Sequence, residues 1–269
     1  MHYSMAVNGI RRYVRLLNHI ANPVEYIVRK GERHRRDLVF TTKPLPLRFP
    51  VSAALYQVFK EIFMADVYEM DTLVRTLPAQ PVVIDIGANA GFFDIQLLSK
   101  IDGATIYAYE PMPANVKTLR ATLQQNPRLE KSIQLFQMAV TGKPLDKLDL
   151  FAEPEENAQV VASRFAGFNE NNTKKITVPC ITLTAIMQSN DLRSVDLLKL
   201  DCEGSEYDIL YHTNPELIRR IGKMVVEVHD VDKDRNNVGA LNTYIQSLGY
   251  TTTHEPINAF CHALEAVRQ

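Results

Sequence analysis

The stretch from residue 82 to residue 100, VVIDIGANAGFFDIQLLSK, places an acid and two spaced glycines between a strand-like run and a helix-like segment. Its pattern, Asp85-x-Gly87-x-x-x-Gly91, is typical of loops that hold a nucleotide-like ligand. A P-loop would need a Lys-Ser or Lys-Thr pair, and a dinucleotide loop would carry its second glycine where this chain has Asn89. The stretch therefore predicts a ligand that does not bring a phosphate close to the backbone.

A second acid stands 25 residues after Asp85, where the strand-like segment IYAYEP ends in Glu110. Glu110 is placed to accept hydrogen bonds from both hydroxyls of a ribose, and Asp85 to face an ammonium or sulfonium charge. Ala139, in FQMAV, follows a third strand where an adenine ring would lie, and Tyr68 precedes the loop and could fold over the ligand. Together these residues favour S-adenosylmethionine over NAD. Ordinary strand ends, capping and packing are the alternative explanation.

Charged residues interrupt two further apolar strands, in the stretches VDLLKLDCEGSEYDIL and MVVEVHD. Residues two apart in a strand share a face, so Glu227 and His229 share one. If the two strands are neighbours in a parallel sheet, their carboxyl ends open at the edge where such sheets bind ligands. Asp201, Glu203, Glu227 and His229 would then line one acceptor site.

These residue types suit transfer of a methyl group to an alcohol, which is a poor nucleophile until its proton is accepted. His229, with an ordinary pKa of about 6.5, is the natural general base. Alternatively, a divalent cation held by Asp201 and Glu227 would lower the pKa of the hydroxyl. A purely structural role is a third explanation, in which Lys199–Glu227 or Asp201–His229 pairs only set strand register, and Lys199 itself is expected to be structural.

From residue 81 onward, strand-like and helix-like segments alternate, which predicts a doubly wound, mostly parallel α/β sheet with an antiparallel C-terminal strand. The predicted strands cover 82–87, 104–110, 133–140, 195–202 and 224–230, and the predicted helices cover 91–100, 113–125, 205–211 and 236–248. The stretches LDLFAE and KITVPCITL are expected to be extra extended pieces, and the tail to be two strands joined by a turn at Glu255–Asn258.

Residues 1–80 are predicted to form an N-terminal helical and extended cap on the 81–269 domain. Ile10, Val14, Leu17 and Ile20 recur at helical spacing, which predicts a helix packed on the domain through these residues. Docking of a basic face on a membrane surface or a partner is the alternative, because three arginines lie on that helix and RKGERHRRD follows it.

Composition indicates a soluble globular protein, with 46% hydrophobic and 23% charged residues and a formal net charge of −1. The charge balance argues against a nucleic-acid partner. The apolar runs are shorter than a membrane span, no signal peptide is recognisable, and the three cysteines are widely separated. We therefore expect a cytoplasmic protein, with peripheral membrane association and a homodimer left open.

The stretches VIDIGANAGFF, AYEPMPANVKTLRATL, VDLLKLDCEGSEYDIL and VVEVHD together resemble the FkbM family of S-adenosylmethionine-dependent methyltransferases. The resemblance implies a class I methyltransferase (Rossmann-like) fold, O-methylation of a hydroxyl, and S-adenosylhomocysteine as a product. By position, Asp85, Gly87, Asn89, Gly91 and Glu110 match the family's cofactor motif, and Asp201, Glu203 and Glu227 match its segments near the acceptor.

The resemblance and the residues leave four functions to weigh. The leading expectation is O-methylation of a sugar or sugar-containing acceptor, such as a glycan or glycolipid. The runner-up is O-methylation of a polyketide, lipid or other small-molecule hydroxyl. A non-catalytic cofactor-binding protein and an NAD-dependent oxidoreductase are the remaining alternatives.

Overall fold

The computed structural model describes residues 9–28, 37–152, 162–163 and 174–269. The basic stretch RKGERHRR therefore lies outside the described residues, as does most of the polar loop GFNENNTKK. In the described ranges, no helix combines the length and the apolar character that crossing a membrane requires.

The N-terminal region consists of short helices around a two-stranded hairpin. Its elements are α1 (Ile10–His19), α2 (Val24–Val28), β1 (Leu38–Thr41), β2 (Arg48–Val51), a 3-10 turn (Ala53–Leu55), α3 (Tyr56–Phe59), a π-helical segment (Lys60–Ala65) and α4 (Met70–Arg75). The hairpin rests on the following domain, because the ring of Phe49 meets the ring of Phe92 edge-on at 5.3 Å. One hydrophobic core thus continues across residue 80, where the predicted domain boundary stays a prediction.

Helix α1 buries a different side from the one that its apolar spacing predicts. Leu16 and Ile20 are buried, but Ile10, Val14 and Leu17 are 81%, 47% and 47% exposed. Two polar contacts fix the orientation of α1. Arg15 donates a hydrogen bond to the carbonyl of Ala65 at the end of the π-helical segment, and His19 Nδ1 lies 3.0 Å from the carbonyl oxygen of Phe63. The prediction that Ile10, Val14 and Leu17 pack on the domain is therefore wrong.

The domain after residue 80 alternates strands and helices as predicted. Its first half contains β3 (Val82–Ile86), α5 (Phe92–Leu98), β4 (Thr105–Tyr109), α6 (Pro113–Gln124), α7 (Pro127–Ser132), β5 (Ile133–Phe136), β6 (Ala139–Thr141), β7 (Lys147–Ala152), β8 (Ala162–Ser163), β9 (Lys174–Thr182) and α8 (Leu183–Ser189). Its second half contains β10 (Val195–Leu200), α9 (Glu206–His212), α10 (Pro215–Ile218), β11 (Ile221–His229), α11 (Val238–Ser247), β12 (Tyr250–Pro256) and β13 (Cys261–Arg268).

Seven of these strands form the central sheet in the order β12-β13-β11-β10-β3-β4-β5. The five strands from β11 to β5 are parallel, and β13 runs antiparallel to both β11 and β12. Because side chains alternate along each strand, Val83 joins the core against α5 and α6, while Ile84 joins the core on the other face. The predicted doubly wound sheet with an antiparallel C-terminal strand is confirmed.

Two predicted boundaries are wrong. The third strand does not run through residues 133–140 but breaks into β5, in the central sheet, and β6, which joins β7, β8 and β9 in a separate small sheet. The C-terminal hairpin turns at residues 257–260 and not at Glu255–Asn258, because Glu255 and Pro256 still pair with Ala263 and His262. The extended pieces predicted before and after residue 160 are confirmed as β7 and β9.

Candidate active site

A cavity of about 710 Å³, counted with its open mouth, lies at the carboxyl ends of β3, β4 and β10. One wall is mainly polar and comes from Gly87, Asn89, Glu110, Asn115, Asp201, Cys202, Glu203 and Ser205. The apolar wall is the part of the lining that comes from Met112, Met138, Ala139, Val140, Leu148 and Leu150. Such a cavity suits a ligand with one flat apolar end and one polar, positively charged end.

The two glycines of the loop permit close packing against protein, which explains their spacing. Gly87 has φ 84°, and a Cβ there would lie 1.8 Å from the backbone oxygen of Asp201. Gly91 has φ 78°, and a Cβ there would lie 2.4 Å from Leu119 of α6. Gly87 thus lets the loops after β3 and β10 meet, and Gly91 lets α5 begin against α6. Of the two glycines, Gly87 lines the cavity, whereas Gly91 does not.

Glu110 is the centre of a hydrogen-bond network that shapes the cavity. Its Oε2 accepts from the backbone N–H of Asn89 at 2.8 Å, and its Oε1 accepts from Met112 N at 2.9 Å and Asn115 Nδ2 at 3.1 Å. Burial raises the pKa of Glu110, while these three donors oppose the shift. A carboxylate accepts about four hydrogen bonds, so roughly one position is left for a ligand hydroxyl, fewer than the two that the sequence analysis expects.

Two residues of the cavity wall have backbone conformations that residues other than glycine rarely adopt. Asn89 has φ 51° and Glu203 has φ 53°, both in the left-handed region. Asparagine tolerates this conformation better than most residues, whereas glutamate gains no such benefit. Backbone strain of this kind clusters at functional sites. The strained residues therefore coincide with the loops that the sequence singled out.

The Asp85 side chain does not lie where the sequence analysis expects it. Asp85 is fully buried, does not line the cavity, and places Oδ1 3.1 Å from Nζ of Lys199. Lys199 donates to the carbonyl oxygen of Gly87 at 2.7 Å and lies 3.8 Å from Oδ2 of Asp201. Asp85 thus supports the loop indirectly, because it pairs with Lys199, which donates a hydrogen bond to Gly87. The structural pairing that the sequence suggested, Lys199–Glu227, is replaced by Lys199 with Asp85 and Asp201.

A second buried acid, Asp94 of α5, adjoins this ion pair and was missed from the sequence. Burial, and then the charge of Asp85, raises the pKa of Asp94 well above its ordinary value. Burial opposes the charge on Lys199, but the carboxylates of Asp85 and Asp201 outweigh it and raise the pKa of Lys199. We therefore assign the proton to Asp94 and the opposite charges to Asp85 and Lys199. The available signal was an acid in a helix whose other residues, apart from Gln96, are apolar, FFDIQLL.

Tyr68 also lies behind the cavity and not over it. Its ring meets the ring of Phe93 edge-on at 4.9 Å, and Phe93 in turn lies under Nζ of Lys199 at 6.0 Å. Tyr68 is 8% exposed and does not line the cavity, so its contact with the ligand stays a prediction. Ala139 does line the apolar wall, next to Met138.

His229 stands at the end of β11 among three carboxylates. Its Nδ1 lies 3.2 Å from Oε1 of Glu206, and its Nε2 lies 3.4 Å from Oε2 of Glu203 and 3.7 Å from Oε1 of Glu227. Cys261 adds a thiol that donates to Oε1 of Glu227 at 3.1 Å. The structure thus brings Glu203, Glu227 and His229 together, with Asp201 beside Glu203 at the cavity wall. Glu227 and His229 themselves do not line the cavity described above.

This crowding changes which groups carry protons. Burial alone would lower the pKa of His229. Hydrogen bonds to Cys261 and Glu206 and the charges of the neighbouring carboxylates have the larger effect, and they raise this pKa far above its ordinary range. Burial is the main cause that raises the pKa of Glu203 to about 8 and that of Glu227 to about 7. At neutral pH the imidazole is therefore the charged partner, and the carboxyl groups are the ones poised to exchange a proton.

Two further acidic residues lie near His229 and Asp201 and were not predicted from the sequence. Glu206 is fully buried and closes the turn after β10, because its Oε1 accepts from the backbone N–H groups of Cys202 and Gly204. Glu61 comes from the π-helical segment of the N-terminal region, and its pKa is raised by burial and by the charge of Asp201. Single-turn π-helices often occur at functional sites. The EGSE spacing could have indicated Glu206, but nothing local in the sequence indicates Glu61.

The acids and His229 also offer ligand atoms to a cation. Asp201, Glu203 and His229 place one such atom each within 4.8 Å of one another, as do Glu227, His229 and Cys261. The sequence predicts that Asp201 and Glu227 hold a cation together, but Asp201 belongs to the first of these groups and Glu227 to the second. A divalent cation at the site stays a prediction.

The family model described as the methyltransferase FkbM domain matches residues 85–252, which is more than half of the chain. Methyltransferase sdnD of Sordaria araneosa is 25% identical over an alignment of 226 residues that covers 74% of this chain and 83% of the relative. The 31-O-demethyl-FK506 methyltransferase FkbM of Streptomyces tacrolimicus is 27% identical over 195 residues, 65% of this chain and 74% of the relative.

A solved structure, methyltransferase FkbM from Methylobacillus flagellatus, aligns with 91% of this chain and 60% of its own at a TM-score of 0.47 and 14% identity. The cavity lining fits S-adenosylmethionine, because Glu110 offers an acceptor for a ribose hydroxyl and Met138 and Ala139 offer apolar surface for an adenine ring. The family match, the strand order and this lining agree with one another. The chain belongs to the FkbM methyltransferase family and is an S-adenosylmethionine-dependent methyltransferase.

Proposed function

We propose that the enzyme methylates a hydroxyl of a sugar or a sugar-containing acceptor, such as a glycan or glycolipid in the cytoplasm. The observation that supports this acceptor is the group of carboxylates beside the cofactor cavity, made of Glu61, Asp201, Glu203 and Glu227. Carboxylates accept hydrogen bonds from hydroxyl groups, and a sugar offers several hydroxyls at fixed spacing. An acceptor with a single hydroxyl would contact only part of this group of carboxylates.

When bound, S-adenosylmethionine supplies a methyl group on a positively charged sulfur, which is an activated donor. The protein must then orient the acceptor hydroxyl and take its proton. We assign the proton acceptor to Glu227, whose pKa is raised to about 7, close to the value that suits a general base at neutral pH. His229, held between Glu203 and Glu206, remains positively charged and stabilises Glu227 in the deprotonated form that can accept the proton.

This assignment moves the role of base away from His229, the candidate that the sequence analysis prefers. A histidine flanked by carboxylate oxygens at 3.2, 3.4 and 3.7 Å holds its own proton firmly. Asp201 and Glu203 orient the acceptor in this proposal, because both line the cavity wall. The predicted role of Asp201 and Glu203 at the acceptor is therefore kept.

A hydroxyl on a polyketide or another natural product is the second candidate acceptor. One relative, at 27% identity, is named for methylation of 31-O-demethyl-FK506, and that name supports O-methylation as the reaction type. The apolar wall of the cavity offers an apolar acceptor only limited surface if the adenine occupies it.

The test is transfer of a labelled methyl group from S-adenosylmethionine to matched panels of acceptors, run with Mg²⁺ and with EDTA. The first panel contains monosaccharides, nucleotide sugars and glycolipids, and the second contains hydroxylated macrolides and fatty alcohols. Labelled product in the first panel, lost with Asp201→Asn and retained with Asp149→Asn, supports the proposal. Product confined to the second panel overturns the sugar acceptor and favours the natural-product reading. Product only with Mg²⁺ assigns the carboxylates to a cation.

A further inference from the structure

Exposed apolar side chains are concentrated on α1 and α2 within the described residues. Ten large hydrophobic residues in those ranges are exposed, and six of them lie between residues 10 and 28. The six, with exposed fractions from 47% to 81%, are Ile10, Val14, Leu17, Val24, Ile27 and Val28. Clustered exposure of this kind marks an interaction surface more often than scattered single residues do.

The exposed stripe on α1 is held outward by the packing of the other side of the helix. Ile10, Val14 and Leu17 recur at i, i+4 and i+7, so they share one face. The other face buries Leu16 completely, and His19 is 2% exposed beside the carbonyl of Phe63. Rotation of the helix to hide the stripe would break these contacts. The stripe is therefore a fixed feature of the surface.

The charge of this part of the chain is opposite to that of the remainder. Residues 10–36 contain eight Lys and Arg residues against two Glu, while the remaining residues contain 22 Lys and Arg against 29 Asp and Glu. Arg11 lies next to the apolar stripe on α1 and is exposed. Five of the eight basic residues follow directly after Val28 in the sequence. An apolar stripe with flanking positive charge is typical of helices that lie in the interface of an anionic membrane.

We propose that α1 and α2 form a membrane-docking surface that lies on an anionic lipid bilayer, with Ile10, Val14 and Leu17 entering the headgroup region. A second copy of the chain fits less well, because residues 10–28 carry three arginines against one glutamate, and a two-fold pairing would bring two such surfaces together. The proposal is independent of the acceptor, since it rests only on exposure and charge. It also gives α1 a connection to the active site, because Arg15 and His19 bond to the π-helical segment that carries Glu61.

The experiment is co-sedimentation of the full chain with vesicles of phosphatidylcholine alone, or of phosphatidylcholine with phosphatidylglycerol, at low and high salt. We expect binding to the anionic vesicles, weak binding to the neutral ones, and weaker binding at high salt. The triple variant Ile10→Asn, Val14→Asn, Leu17→Asn should lose about tenfold or more in affinity, since interfacial binding scales with buried apolar area. Arg11→Gln should lose several-fold.

Matched controls use exposed residues elsewhere on the chain. Leu145→Asn and Val267→Asn, at residues 47% and 42% exposed, should leave vesicle binding unchanged, and so should Arg120→Gln. Calorimetric binding of S-adenosylmethionine by the triple variant, equal to that of the wild type, shows that it is folded.

Three results would overturn the proposal. The first is wild-type binding that is equal on neutral and anionic vesicles, or absent on both. The second is vesicle binding by the triple variant that matches the wild type. The third is a wild-type dimer in light scattering that the triple variant converts to a monomer without any lipid dependence, which would assign the surface to a second copy.

Discussion

The Nζ atom of Lys199 lies 3.1 Å from Oδ1 of Asp85 and 2.7 Å from the carbonyl oxygen of Gly87. One buried ammonium therefore ties the acid before the ligand loop to the glycine within it. Because Gly87 also meets the backbone of Asp201, the loops after β3 and β10 share a single support. Changes to this support should affect both halves of the site at once.

Asp85→Asn should destabilise the protein strongly. The substitution leaves the buried ammonium of Lys199 with Asp201 at 3.8 Å as its remaining carboxylate neighbour among the ion pairs described. Removing one member of a buried ion pair costs about 3–5 kcal/mol, which urea denaturation measures as a lower free energy of unfolding. Asp149→Asn is the control, because its pair with Lys175 at 2.8 Å is on the surface, and its effect should be small. Equal effects of the two variants would show that the Asp85–Lys199 pair contributes nothing special.

Gly87→Ala should abolish cofactor binding, because its new Cβ would lie 1.8 Å from the backbone oxygen of Asp201. Gly249→Ala separates this clash from backbone strain, since Gly249 has φ 92° but no atom within 4 Å of the added Cβ. We expect Gly249→Ala to lower stability by about 1–3 kcal/mol and to leave calorimetric cofactor affinity intact. Similar cofactor affinities for the two variants would mean that the loop can move away from β10.

Glu110→Ala should weaken binding of S-adenosylmethionine by roughly 10- to 100-fold, since hydrogen bonds to charged groups contribute about 1.5–3 kcal/mol. The substitution removes the acceptor for Asn89 N, Met112 N and Asn115 Nδ2 as well as the position left for a ribose hydroxyl. Calorimetry with S-adenosylhomocysteine measures the loss. Asp102→Ala, at a carboxylate that is 82% exposed, is the control and should bind normally. Unchanged affinity of the Glu110 variant would refute the ribose assignment.

Asp201→Asn should lower the rate of methyl transfer by about 10²–10⁴-fold, as expected for loss of a group that positions or activates a nucleophile. Cofactor affinity should stay nearly intact, because the amide keeps the shape of the side chain and the backbone contact with Gly87. Single-turnover rates and calorimetry on the same preparation provide the comparison. Parallel loss of rate and cofactor affinity would indicate that Asp201 is structural.

The transfer rate should rise with pH and level off above about pH 7, if Glu227 is the base. A base must be deprotonated to act, and burial raises the pKa of Glu227 to about 7, so acid below that value inactivates it. Glu227→Gln should lose activity at every pH. His229→Gln should remain active but shift its profile to higher pH, because the charge of His229 lowers the pKa of Glu203 and Glu227. Complete loss with His229→Gln and activity with Glu227→Gln would return the role of base to His229.

Local patterns were sufficient to predict most of the sheet and the cavity wall. Gly87, Asn89, Glu110, Ala139, Asp201 and Glu203 all line the cavity, because each stands at a strand end that apolar spacing reveals. Parallel strands bring such ends to one edge of the sheet. The break between β5 and β6 was not visible, because an apolar run does not show which sheet its residues join.

The sequence by itself determined the class of the protein: the glycine loop, the acids after the strands and the alternation of elements all depend on near neighbours in the chain. Tertiary structure decided that Glu110 lines the cavity, whereas Asp85 is buried and paired with Lys199. It also brought Glu61 from the N-terminal region toward Asp201 and turned the apolar face of α1 outward. These outcomes depend on desolvation and on partners far away in sequence, and neither is encoded in local spacing.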